Sequence, residues 1–166
     1  DMVSVVTFAT GAILENPLTD DVMGTAALIS KLAVAPESEH GSTNIGDALV
    51  EAEVELSSPR HNLDARKILV LLTDGKANAP ETETAEAYAL EIATELKQRG
   101  TDIFTIGLGK NLNVEFLKTL ATSEKHRFLA VDRSTLEGIY QTISRAICEE
   151  GAAVIEIIPK PDSSVR

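Results

Sequence analysis

The segment Lys67–Thr73 carries Ile68-Leu69-Val70-Leu71-Leu72, an aliphatic run with no polar interruption. A strand with one wet face alternates apolar and polar residues. An unbroken β-branched and leucine run of this length instead suits a strand covered on both faces, as in a parallel sheet between helix layers. The rest of the chain must then supply the neighbouring strands and the covering helices.

It supplies both in alternation. Met2 to Ala9 is short, β-branched and apolar, and reads as a buried strand. Gly11 to Leu18, with Ala12-Ile13-Leu14 and Pro17, reads as a shorter antiparallel strand. Thr19-Asp20-Asp21 is a helix-start signal, and Val22, Ala26, Ile29, Leu32 and Ala33 recur behind it at helical spacing. Asn44 to Leu56 and Thr84 to Arg99 are further helices, the second stopped by Gly100. Asp102 to Leu108 and Arg127 to Val131 read as strands, and Val114 to Ala121 as a helix. Thr135 to Cys148 is the last helix, with Leu136, Ile139, Tyr140, Ile143 and Ile147 as its apolar stripe. This order predicts an α/β fold: a doubly wound, mostly parallel, Rossmann-like sheet with helices on both faces and one short antiparallel edge strand.

At 166 residues the chain is long enough for one domain that buries roughly two-thirds of its unfolded surface. Residues 1–148 are read as that domain. Residues 149–166 are read as an exit strand, Ala152 to Pro159, and a linker toward a further domain; Lys160 to Arg166 reads equally well as a disordered tail.

The net charge of -11 repels phosphate backbones and argues against nucleic acid. The histidines His40, His61 and His126 are scattered, and Cys148 is the single cysteine, so no soft-ligand zinc cluster is spelled out. No signal peptide or membrane span is present in the sequence.

Ligands of open α/β sheets bind beyond the carboxyl ends of the strands. That rule selects the loops Gly41-Ser42-Thr43-Asn44, Thr73-Asp74-Gly75, Gly109-Lys110-Asn111 and Asp132-Arg133-Ser134. Asp74 is the most informative residue among them. A carboxylate ending a central strand is costly unless solvated, capping or cation-bound. With a nearby Thr hydroxyl it suits a hard divalent cation, which takes oxygen ligands. From spacing alone the residues fit better a plain turn at Asp74-Gly75 and a helix N-cap at Thr43 or Asn44. Enzyme signatures are poor. Gly107-Leu108-Gly109 opens like a dinucleotide fingerprint, but Leu112 stands where its third glycine belongs. No nucleophile elbow or phosphate-binding lysine loop is present. The chain is therefore read as a non-enzyme.

Four segments, in order, resemble von Willebrand factor A domains. Val3-Ser4-Val5-Val6-Thr7-Phe8 is similar to that family's second strand, and Gly41 to Leu49 to its threonine loop and the helix behind it. Lys67 to Gly75 resembles its fourth strand with the aspartate, and Asp102 to Gly109 its fifth strand. The resemblance implies a metal-ion-dependent adhesion site that holds Mg²⁺, or Mn²⁺ or Ca²⁺. It assigns Thr43 and Asp74 as metal ligands, with Ser42, Thr73 and Gly75 as the supporting rim. It implies a protein ligand or extracellular matrix that supplies an acidic residue, no membrane insertion, and an extracellular or cell-surface location. The alternative is a structural or assembly module with a vestigial metal site. Cys148 sits where many extracellular members carry a cysteine paired to one before the first strand, so the resemblance implies an inter-segment disulfide; a buried or free thiol is the alternative reading.

One departure stands out. The family's first strand, which carries its Asp-x-Ser-x-Ser motif and occupies the centre of the sheet, does not precede Val3. Its absence would leave two strands with unpaired backbone groups, each costing on the order of 1–3 kcal/mol. Half a dozen such groups would exceed a domain stability of about 5–15 kcal/mol. Either the chain is a fragment whose N-terminal segment completes the sheet, or another segment or another chain supplies the central strand; alone, the chain is not expected to take the family's form, and the metal is held weakly or not at all. Direct pairing of the two flanking strands would contradict this reasoning.

Overall fold

The computed structural model describes residues 2–32, 41–110, 112–148 and 152–159. The elements run β1 (Met2–Phe8), β2 (Ala12–Thr19), α1 (Val22–Ile29), α2 (Ile45–Leu56), β3 (Arg66–Thr73), α3 (Ala85–Gln98), β4 (Thr101–Leu108), α4 (Val114–Leu120), β5 (Arg127–Ala130), α5 (Arg133–Cys148) and β6 (Ala152–Pro159). They form a six-stranded sheet in the order β2-β1-β6-β3-β4-β5. Only the β1–β2 pairing is antiparallel. The doubly wound α/β sheet with an antiparallel edge is thus as expected.

The centre of the sheet differs from the expectation. The apolar run Ala152 to Pro159 does not lead away as an exit strand. It lies between β1 and β3, parallel to both, in register from Met2↔Ala153 to Phe8↔Pro159 on one side and from Arg66↔Ala152 to Leu71↔Ile157 on the other. The flanking strands do not pair directly; the position between them is filled from the same chain. The physical reason is the one that made an empty position untenable. Two facing rows of backbone donors and acceptors need a partner, and β6 is a β-prone segment that satisfies both rows at once. Residues 160–166, read as linker or tail, lie outside the described residues, as does the Cys148 side chain.

Alternation along the strands builds two cores. Val6, Phe8, Leu69, Leu71, Ile103 and Ile157 share one cluster with Ile45, Leu49 and Leu56 of α2, Leu96 of α3, and Phe116, Leu117 and Leu120 of α4. Alanines at 48, 52, 85, 89 and 93 let α2 and α3 approach that face closely. Ile68, Val70, Phe104 and Ile106 meet Ile139, Ile143 and Ile147 of α5 on the opposite face. The β3 run is therefore divided between both layers, as its composition requires. Helix α1 stops at Ile29, short of the expected Leu32: the Ser30 hydroxyl donates to the Ala27 carbonyl (2.8 Å) and competes with continuation. Ala33 lies outside the described residues.

One buried charge ties α2 to the sheet edge. Glu55, 1% exposed, accepts from the Leu18 N–H at 2.7 Å and from Arg60 Nε and Nη2 at 2.9 and 2.6 Å. The Arg60 hydrogen bonds hold its carboxyl below the ordinary value of 4.5; burial opposes them and the Leu18 N–H adds to them. A lowered folded value means that the stabilisation is full above that ordinary value and is lost as pH falls through the folded one.

Two measurements follow from this packing. A chain ending at residue 151 is expected to show no cooperative urea transition, because β1 and β3 lose their shared partner. Glu55→Ala is expected to cost on the order of 1–3 kcal/mol in urea at neutral pH, because it leaves the buried Leu18 N–H without its acceptor. Glu55→Gln should flatten the acid limb of stability below pH 4.5; an unchanged limb would assign the acid sensitivity to other carboxylates.

Candidate metal site at the carboxyl edge

Because β1, β6, β3, β4 and β5 are mutually parallel, their carboxyl ends open onto one edge of the sheet. Three segments meet there: the end of β1 (Phe8 to Thr10), the loop Gly41 to Asn44, and the loop that follows Thr73.

The first junction is made by Asn44, which is completely buried. Its backbone N–H donates to the Ala9 carbonyl at 2.9 Å, and its Nδ2 donates to the Thr10 carbonyl at 2.8 Å. The same side chain caps α2, with Oδ1 accepting from the Asp47 N–H at 3.1 Å. So Asn44, not Thr43, is the N-cap, and the Thr43 hydroxyl is not committed to capping. Asp47 accepts in turn from Asn44 Nδ2 (2.7 Å) and from the Tyr88 hydroxyl (3.2 Å). The Tyr88 ring packs this closely against α2 only because residue 46 is glycine: a Cβ there would come within 2.2 Å of the ring. The Tyr88 hydroxyl is shifted upward, first by burial and then by the charge of Asp47, so it stays a donor.

The second junction joins the threonine loop to the aspartate loop. A Cβ added to Gly75 would lie 3.3 Å from Thr43 Oγ1, so the hydroxyl sits directly beside the backbone next to Asp74. Asn78 fastens the two loops. Its Oδ1 accepts from the Thr43 N–H (2.8 Å), its N–H donates to the Thr43 carbonyl (3.2 Å), and its Nδ2 donates to the Gly41 carbonyl (2.5 Å). Thr73, fully buried, closes the aspartate turn: its hydroxyl donates to the Gly75 carbonyl at 3.2 Å. Ser42 is half-buried on the same rim, and Asp74 itself is exposed.

Of the five residues assigned from sequence, Thr43, Asp74, Thr73 and Gly75 are thus gathered at one junction, with Ser42 adjoining it in the chain. The other candidate loops are occupied differently. The Asp132 carboxylate accepts from the Thr135 N–H and from the Thr135 and Ser134 hydroxyls, all within 2.9 Å, which makes it a helix cap. The Gly109 N–H is bonded to Ala130, and Asn111 lies outside the described residues. Among the described residues no group of three or more His, Cys, Asp and Glu side chains gathers as a metal cluster. The junction offers, among the described residues, the Thr43 hydroxyl and the Asp74 carboxylate, with the Ser42 hydroxyl on the same rim. These are hard oxygen donors, and they fit a hard divalent cation that keeps several waters. Sequence reasoning missed Asn78 altogether, since a bond to a loop 35 residues away leaves no local pattern.

Comparison with known proteins agrees with this architecture. A family model for the von Willebrand factor type A domain matches residues 1–142. The chain belongs to that family. It is 31% identical over 114 residues to the collagen alpha-6(VI) chain of Mus musculus, an alignment covering 67% of this chain and 5% of that one. Its fold superposes on mussel byssus proximal thread matrix protein 1, solved with a zinc-occupied metal-site motif, with TM-score 0.71, 28% identity, and coverage of 87% of this chain and 34% of that one. Manganese-loaded TRAP of Plasmodium vivax shares the fold, with TM-score 0.65 and 21% identity over 82% of this chain and 54% of that one. The chain thus spans only a small part of the curated relative's length.

Asn44→Ala removes the cap and the tie to Thr10 together. The expected cost is about 1–2 kcal/mol in chemical denaturation, the range for helix caps. A cost near zero would show that the two loops hold their places without it.

Proposed function

We propose that this domain is a non-catalytic binding module that engages a protein or matrix ligand through a divalent cation at the carboxyl edge of the sheet. Thr43 and Asp74 would ligate the ion, with Ser42, Thr73 and Gly75 shaping the rim. The observation that carries this reading is the placement of the Thr43 hydroxyl beside Gly75, in a junction where the hydrogen bonds of neighbouring groups leave both Thr43 Oγ1 and Asp74 uncommitted among the described residues. A bound cation supplies a coordination position that an acidic side chain of a partner can complete. Mg²⁺ is the proposed physiological ion, with Mn²⁺ and Ca²⁺ as substitutes.

Binding rather than catalysis is supported by the site's contents. Among the described residues the junction holds no nucleophile paired with a base, and the relatives include a collagen chain and a thread matrix protein. Those same relatives support an extracellular or cell-surface setting. No described helix is long and apolar enough to cross a membrane.

A second reading keeps the fold and drops the ion: a structural or assembly module whose metal site is vestigial. It is favoured by the small number of side chains proposed as ligands, Thr43 and Asp74 alone, and by the lack of any cluster of three or more His, Cys, Asp and Glu among the described residues. Calorimetric titration of Mn²⁺ into the chain separates the two readings. The adhesion reading expects a saturable single site, weakened about tenfold or more, ~1.4 kcal/mol, by Asp74→Ala or Thr43→Ala. Absence of binding by the unmodified chain would leave the assembly role.

A further inference from the structure

We infer that the Asp74–Gly75 peptide is a self-modification site, at which the Gly75 nitrogen cyclises onto the Asp74 side chain and the backbone isomerises to isoaspartate. Gly75 is the one glycine of the chain that follows an aspartate, and no glycine follows an asparagine. Glycine carries no side chain to hinder attack by its own nitrogen, and it leaves the backbone freest to turn. The fold adds to this. The β3 ladder ends at Thr73↔Gly107 on one side and at Leu71↔Ile157 on the other, so no strand partner holds the peptide that follows. Asp74 is exposed, and its carboxylate has no hydrogen bond among the described residues. The Gly75 N–H is held by the Thr73 hydroxyl at 3.4 Å, long for such a bond. Other exposed aspartates differ. Asp21 and Asp132 spend their carboxylates on helix caps, and Asp20, Asp21, Asp64 and Asp132 each precede a residue with a side chain.

The step balances with water alone. The Gly75 nitrogen attacks Cγ of the Asp74 carboxyl in its acid form. The N–Cγ bond forms, the bond from Cγ to the hydroxyl oxygen breaks, and that hydroxyl leaves with the amide proton as one water. The five-membered imide then takes up a water. Opening at Cγ restores aspartate. Opening at the Asp74 backbone carbonyl gives isoaspartate, with the main chain running through Cβ and Cγ. Nothing is oxidised or reduced. Packing retains the reactive pair, because a Cβ on residue 75 would press on Thr43 Oγ1 at 3.3 Å.

Isoaspartate changes the rim in two ways. The main chain gains one carbon between residues 74 and 75, which pulls the Gly75 N–H and carbonyl away from the Thr73 hydroxyl that closes the turn. The carboxylate loses its methylene arm and sits directly on Cα. Under the cation reading above, on which this consequence alone rests, a converted chain no longer places a carboxylate to share an ion with Thr43. The isomerisation itself does not depend on that reading.

The test incubates the full chain at neutral pH and physiological temperature and follows isoaspartate with time. Trypsin cuts at Lys67 and Lys76, and the peptide Ile68 to Lys76 holds Asp74 as its only aspartate and no asparagine. Its isoaspartyl form keeps the same mass, separates chromatographically and accepts a methyl group from an isoaspartyl methyltransferase. Steady accumulation in this peptide is expected, with none in Asp74→Glu and none in the tryptic peptides that carry Asp64 or Asp132. If Ile68 to Lys76 stays unmodified in the chain while a synthetic peptide of that sequence converts, the inference is overturned. Glu55→Ala destabilises the fold without touching this loop, and its rate should match the unmodified chain's. A rate that rises with its unfolded fraction would place the reaction in the unfolded chain and overturn the role of the bend. Calorimetric titration with Mn²⁺ alone, on fresh and aged chain, reads the consequence: the number of sites should fall in step with the converted fraction. No binding by the fresh chain would remove the cation reading and leave the isomerisation standing. Sites that persist in chains carrying isoaspartate would overturn the consequence drawn for the rim.

Discussion

The structure depends on the double pairing of β6. Without that strand, β1 and β3 would face each other across a gap one strand wide, each with a row of buried amides and carbonyls seeking partners. Hydrogen bonds contribute modestly when made and cost heavily when a buried group is left alone. The central position is therefore the most demanding in any parallel sheet, and here it is met in register on both sides. The two cores follow from it. Ile157 joins Val6 and Leu71 in one continuous apolar surface, on which α2 lies.

The same pairing places the candidate site. Metal and ligand sites in such folds need several chain segments to end at one edge. Parallel strands deliver that automatically, because every carboxyl end points the same way. The strands bring the segments near each other, and side chains of modest size do the final alignment. Asn44 holds the threonine loop to the end of β1, Thr73 shapes the aspartate turn, and Asn78 joins the two loops. Each of these groups bonds mainly to backbone. That leaves the Thr43 hydroxyl and the Asp74 carboxylate free of internal work among the described residues.

Much of this was legible in the residues themselves. The aliphatic run of β3 announced a strand buried on both faces, and the alternation of strand and helix announced the layering. The threonine and aspartate loops could be picked out because their motifs are local and ordered, and the structure brings the two loops side by side. What was hidden was non-local. Ala152 to Pro159 looks like a strand, but nothing in its composition says which edges it will join; the answer lies in the unmet backbone of two distant segments. Glu55 reads as a solvated helix position, and only the approach of Leu18 and Arg60 makes its burial tolerable. Asn78 reads as one more loop asparagine.

The order of elements has a consequence for how the sheet comes together. The strand at its centre follows every other strand in the chain. Both of its neighbours, β1 and β3, therefore have their inner edges unpaired until a segment much later in sequence is available. Long-range parallel pairing of this kind is slow, and open edges in the interval are where chains associate wrongly. The central seam, buried in the finished domain, is the edge that most needs shielding while the sheet assembles.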